Sequence, residues 1–116
     1  MSTKRKQGEQ AESAAEHWLN ERGLRPVARN YRCRGGEVDL IMRHDETLVF
    51  VEVRLRRHHT FGGALASVDR RKQHRLILAA QHYLQHHSWE GPCRFDVVGL
   101  DARGVADWVQ DAFGTG

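Results

Sequence analysis

The chain has 116 residues, eighteen Lys+Arg against fifteen Asp+Glu, and a net charge of +3. That length suits one domain able to bury its own core, and the mild basic excess is too small to identify a polyanion ligand alone. No apolar run reaches membrane-spanning length, the first residues lack the apolar stretch of a signal peptide, and Cys33 and Cys93 are too far apart in sequence for a CxxC site, so a cytoplasmic protein with reduced thiols is expected.

Residues 1–8 are predicted as a flexible basic tail, 9–113 as the single domain and 114–116 as a disordered end. From Glu9 to Arg22 the apolar positions Ala11, Ala15, Trp18 and Leu19 recur at helical spacing, and Gly23 is a natural stop. Trp18 belongs to that stripe and is expected in the core. Leu24 to Cys33 reads as a strand. Two further strands follow, Gly36 to Arg43 and Leu48 to Leu55, joined through His44–Thr47. Arg56 to Val68 is too irregular to assign. A second helix is predicted from Asp69, a potential N-cap, to His87, with Leu76, Ala80 and Leu84 on one face. Gly91-Pro92 breaks the chain. Cys93 to Leu100 reads as a strand, with a short last strand over Val105–Val109. Sheet and helices in this order imply an α/β fold with a mixed sheet covered by helices.

The two central strands carry the most information. Folded as an antiparallel hairpin about their loop, they pair Val38 with Val53, Leu40 with Val51 and Met42 with Val49 on an apolar face. The other face pairs Ile41 with Phe50, Glu37 with Arg54 and Asp39 with Glu52. Directly opposed like charges destabilise a sheet, so Asp39 against Glu52 is either a solvated strand face or a cation site. Hard divalent ions take carboxylate oxygens at roughly 2.0–2.1 Å and keep several waters. Asp39, Glu52 and the backbone carbonyl of Val53 are the candidate ligands of Mg²⁺ or Mn²⁺, which would polarise a phosphodiester and activate water. Basic residues nearby, Arg56, Arg57, Arg70, Arg71 and Lys72, are candidates for sequence-independent contacts to nucleic-acid phosphates. The histidines, including His82 and His86, are expected on the surface. Arg94 and Asp96 are read as a structural ion pair.

The runs Asn30 … Gly35-Gly36-Glu37-Val38-Asp39-Leu40-Ile41, Val49-Phe50-Val51-Glu52-Val53-Arg54 and Arg94-Phe95-Asp96-Val97-Val98 together resemble the YraN family of small bacterial proteins. The resemblance covers about residues 7–113. It implies a restriction-endonuclease-like fold related to archaeal Holliday-junction resolvases, and a nuclease site built on aspartate and glutamate–x–lysine. Asp39 and Glu52 match the two acids. Glu12 matches the acid that such resolvases carry on their first helix. Arg54 stands where lysine is usual; arginine stays charged and cannot act as a base, but can stabilise developing charge. Lys72 is an alternative source of the lysine.

The resemblance therefore predicts a Mg²⁺- or Mn²⁺-dependent endonuclease acting on DNA rather than RNA, including branched DNA, with Glu12, Asp39, Glu52 and Arg54 as catalytic residues. Junction-cutting relatives work as dimers, so a homodimer is a corollary. The competing expectations are a nucleic-acid-binding module that keeps the fold without cutting, and a domain whose basic face meets an acidic protein.

Overall fold

The computed structural model describes residues 3–56 and 63–114. The elements are α1 (Thr3–Asn20), β1 (Leu24–Cys33), β2 (Gly36–His44), β3 (Thr47–Leu55), α2 (Gly63–Ala66), α3 (Arg70–His86), β4 (Cys93–Asp101) and β5 (Gly104–Phe113). Residues 3–8, expected as tail, are the opening turns of α1. The strands lie in one sheet in the order β1-β2-β3-β4-β5. Neighbours are antiparallel except β3 and β4, which are parallel. Parallel neighbours need a crossover, and α3 supplies it. The result is the mixed α/β sheet expected, compatible with a restriction-endonuclease-like fold.

Both sheet faces are covered, which explains the unbroken apolar run in β3. Ala15 and Leu19 of α1 pack on Leu40, Met42, Val49, Val51, Val98 and Leu100. On the other face Leu76, Ala79, Ala80 and Tyr83 of α3 pack on Ile41, Phe50, Phe95 and Val97. Trp18 packs against the α1-side cluster as expected. His82 is half-buried rather than a surface residue, and its Nδ1 hydrogen-bonds the Tyr31 hydroxyl. Both cysteines are free thiols, and among the described residues no helix is long and apolar enough to cross a membrane.

The hairpin register is the one anticipated, with Leu40 opposite Val51, Ile41 opposite Phe50 and Met42 opposite Val49. The expected face breaks down at one point, because Val38 belongs to the α3-side cluster while Leu40 belongs to the α1 side. The alternation of β2 therefore changes phase across Asp39. Asn30 lies on β1 between the Arg29–Leu40 and Tyr31–Val38 pairs and has φ 51°, a left-handed conformation that asparagine tolerates better than most residues. The β2–β3 ladder ends at Leu40–Val51, whereas β3 continues beside β4 as far as Leu55 and Leu100. Beyond Val51 the two strands part, and the acids line the opening.

Candidate active site

Asp39 sits where β2 leaves β3, and its Oδ2 accepts the backbone N–H of Val53 at 2.8 Å. Val53, whose carbonyl is the expected metal ligand, also donates its amide N–H to position Asp39. Glu52 is one residue earlier on β3 and only 4% exposed. Its Oε2 lies 3.3 Å from Lys72 Nζ and 3.7 Å from Arg54 Nη1. The first turn of α3 delivers Lys72, and Asp69 caps that turn by accepting the Lys72 backbone N–H at 2.8 Å.

Burial pushes the Asp39 carboxyl up to about 8, helped by its hydrogen bond to Glu52 and the negative charge there; the Val53 N–H and the Lys72 ammonium oppose the shift. The pair therefore holds a proton near neutral pH, as two carboxyls sharing one site do. Around them lies a cavity of about 210 Å³ whose walls include Glu12, Glu37, Asp39, Glu52, Val53 and Lys72.

Glu12 reaches this cavity from α1, held by Asn30, whose Nδ2 donates to Glu12 Oε1 at 3.0 Å. Burial raises the Glu12 pKa and the nearby Asp39 charge adds to this, against the lowering effect of the Asn30 bond. The role of Asn30 was missed; its sequence signal was a residue type that favours left-handed backbone in the middle of a strand. Arg54 is fixed by a second residue with no sequence signal, Ser67, whose Oγ accepts Arg54 Nε at 3.0 Å and donates to the Ala64 carbonyl at 2.6 Å.

The remaining expectations divide. Glu37 does not pair with Arg54: its carboxylate lies 3.6 Å from Arg32 and 3.7 Å from Arg75, because β2 has turned away from β3 there. Arg70 and Arg71 are exposed on the first turn of α3. Arg56 is turned inward, its side chain 12% exposed and Nη1 3.5 Å from Asp107 Oδ1, so β5 rather than solvent receives it. Arg57 lies outside the described residues. Arg94 and Asp96 form the structural pair expected: the fully buried Asp96 carboxylate accepts two bonds from Arg94, one from Trp108 Nε1 and one from the Asp111 N–H.

Among the described residues no three His, Cys, Asp or Glu side chains stand close enough together to hold a metal ion alone. Asp39 and Glu52 remain as a carboxylate pair facing an open cavity. That donor set fits Mg²⁺ or Mn²⁺ better than zinc, since Mg²⁺ binds through one or two carboxylates and keeps its waters, whereas zinc favours a closed set of nitrogen and sulfur ligands.

Residues 11–100 match the model of "Uncharacterised protein family UPF0102", a span that contains Glu12, Asp39, Glu52 and Lys72. The chain is 58% identical over 107 residues to a UPF0102 protein of Cupriavidus necator, covering 91% of this chain and 81% of that protein. It is 56% identical over 109 residues to one of Aeromonas hydrophila, at 91% and 83% coverage. For one of Methylobacillus flagellatus the figures are 54% over 109 residues, at 91% and 95%. This chain belongs to the UPF0102 family, which is the YraN family.

Proposed function

We propose that this protein is a divalent-metal-dependent endonuclease that hydrolyses phosphodiester bonds of DNA. The observation that carries the reading is the buried Asp39–Glu52 pair with Lys72 Nζ 3.3 Å from Glu52. A purely structural role would be served better by apolar residues, because burying two acids side by side costs stability. A bound Mg²⁺ or Mn²⁺ supplies Lewis acidity and lowers the pKa of water. Asp39 and Glu52 would hold the ion, and the Asp39 carboxyl would give up its proton to do so. Lys72 and Arg54 both reach Glu52 Oε2, and Lys72, the more exposed of the two at 40% against 27%, orients water or meets the scissile phosphate. Glu12, steadied by Asn30, assists from across the cavity. Arg70 and Arg71 meet neighbouring phosphates through salt-sensitive contacts. The resemblance to junction resolvases directs the reading to branched DNA, cut by a two-fold dimer in the cytoplasm.

The test is cleavage of a labelled panel (single-stranded, duplex, flapped and four-way-junction DNA, and RNA) with Mg²⁺ or Mn²⁺. Wild type runs beside Asp39→Asn and Glu52→Ala. Metal-dependent cleavage by wild type alone is the expected result, and the panel names the substrate. Salt-sensitive binding without cleavage, unchanged in both variants, would replace this reading with a nucleic-acid-binding module that does not cut.

A further inference from the structure

Arg25 and Arg43 stand directly opposite one another in the β1–β2 ladder, and both are exposed. Like charges so placed destabilise a sheet. Several other arginines are answered by acids: Arg5 by Glu9, Arg29 by Glu16, Arg94 by Asp96 and both Arg32 and Arg75 by Glu37. Neither Arg25 nor Arg43 has a salt bridge among the described residues.

The two arginines line an open cleft of about 340 Å³, completed by Gly23 and Asp45. Gly23 has φ 93°, and nothing lies within 4 Å of where its Cβ would stand, so that wall is bare backbone. The Arg43 guanidinium is oriented in advance. Its Nε donates to the Asp45 carbonyl at 3.0 Å, and its Cζ lies 5.2 Å from the centre of the Trp89 ring. Its Nη groups are left to meet a ligand. Asp45 is the one acid on the cleft wall against two cations.

We propose that this cleft is a phosphate-binding site separate from the Asp39–Glu52 cavity. Two guanidinium groups arriving from neighbouring strands need an anion whose oxygens point in different directions. A tetrahedral phosphate meets that requirement, whereas the oxygens of a carboxylate share one plane. The anion also turns the repulsion between the arginines into shared attraction. Arg43 is four residues beyond Asp39 on β2, about 13 Å along the strand, at the end of β2 that meets the β2–β3 turn. The phosphate held there is therefore not the one being cut. Its source is the backbone of DNA extending past the cleavage site, an assignment that rests on the nuclease reading; the site itself does not.

The test is amide NMR of the full chain without divalent metal, titrated with inorganic phosphate and, separately, with a short DNA duplex. Wild type is compared with Arg25→Gln/Arg43→Gln, Asp45→Asn and Asp39→Asn. Phosphate should shift the Gly23, Arg25, Arg43 and Asp45 amides saturably. The shifts should vanish in the double variant and occur at severalfold lower phosphate in Asp45→Asn. DNA should move the same amides, and the double variant should reduce the salt dependence of DNA binding by about two phosphates' worth. Shifts with phosphate but not DNA would keep the site and remove DNA as its source. No saturable shift with either ligand in a folded wild type would overturn the proposal. No readout here involves cleavage, and Asp39→Asn, which lies outside the cleft wall, should leave the shifts caused by inorganic phosphate as they are in wild type. An inactive nuclease would leave the cleft standing, and an empty cleft would leave the nuclease standing.

Discussion

Lys72 Nζ lies 3.3 Å from Glu52 Oε2, so the first turn of α3 brings a lysine to the acid that Arg54 also approaches from β3. Lys72 is 40% exposed at its side chain and Glu52 only 5%, which places the ammonium between the buried acid and incoming solvent or substrate. Arg54 is the less available group, its side chain 27% exposed and its Nη1 turned toward the buried Glu52 at 3.7 Å. Lys72→Ala should therefore slow single-turnover cleavage by about 10²–10³-fold, the usual cost of losing one group that stabilises developing charge. Arg54→Ala should cost less. Combining Lys72→Ala with Arg54→Lys should restore part of the rate by returning the lysine to the strand. Full activity in Lys72→Ala would reduce this contact to an ordinary ion pair.

Asp39 gives the protein a distinctive pH dependence. Its folded-state pKa is about 8, against 3.8 for the free group. An acid whose pKa rises on folding binds its proton more tightly in the folded state. Its stabilising contribution is complete below the unfolded value and is lost as pH rises through about 8. Metal-free wild type should lose stability between about pH 4 and pH 8 from this source. Asp39→Asn keeps a neutral group that can accept from Val53 and donate to Glu52. It should flatten that dependence and be more stable than wild type by about 1–4 kcal/mol at pH 8.5. Urea unfolding in chelator at pH 5.5, 7 and 8.5 measures this, and parallel pH profiles for the two proteins would contradict it. Added Mg²⁺ should stabilise wild type by mass action, more at high pH where the proton has already left, and should leave Asp39→Asn unchanged.

The parts of this site that were legible in the sequence are those set by near neighbours. The β2–β3 register followed from apolar alternation around a short turn, and Asp69 announced α3 because a cap acts within one turn. The Arg94–Asp96 pair was visible because the two residues share one face of one strand. What was hidden depends on segments that meet only after folding. Glu37 leaves Arg54 because β2 changes phase at Asp39, and its new partners lie on β1 and α3. Arg56 looked like part of a basic surface run, but Asp107 on β5 draws it inward. Lys72 was named as the alternative lysine, but its contact with Glu52 depends on the placement of α3, which no local spacing encodes.

Asp96 should prove the most destabilising single acid to remove. Its carboxylate is fully buried and serves Arg94, Trp108 and the Asp111 backbone together, tying β4 to β5. Asp96→Ala leaves a largely buried guanidinium and two further donors without their acceptor, at an expected cost of about 3–5 kcal/mol. Trp108→Phe removes one donor and keeps most of the ring, so about 1–2 kcal/mol is expected. Denaturant midpoints at constant m-value check both figures. Equal losses in the two variants would mean that ring packing, not the carboxylate, holds this corner.

Gly36 links sheet stability to the acid site. A Cβ at this position would lie 2.5 Å from the Arg75 carbonyl oxygen and 2.8 Å from the Ala79 nitrogen, both backbone atoms of α3. The constraint is space, and it can be relieved only by moving the helix. Gly36→Ala should cost about 1–3 kcal/mol and shift the segment of α3 that carries Lys72 away from Glu52, lowering cleavage as well as stability. Gly8 is the opposite case: it is inside α1, also lines the acid cavity, and has nothing within 4 Å of a new Cβ. Gly8→Ala should stabilise the protein by about 0.5–1 kcal/mol, the usual gain from replacing glycine in a helix interior. Thermal denaturation and cleavage rates measured on both proteins separate the two effects. If Gly36→Ala lost stability while cutting at the wild-type rate, the close approach of α3 to β2 would serve the core alone, and the position of Lys72 would have to be set by the Asp69 cap.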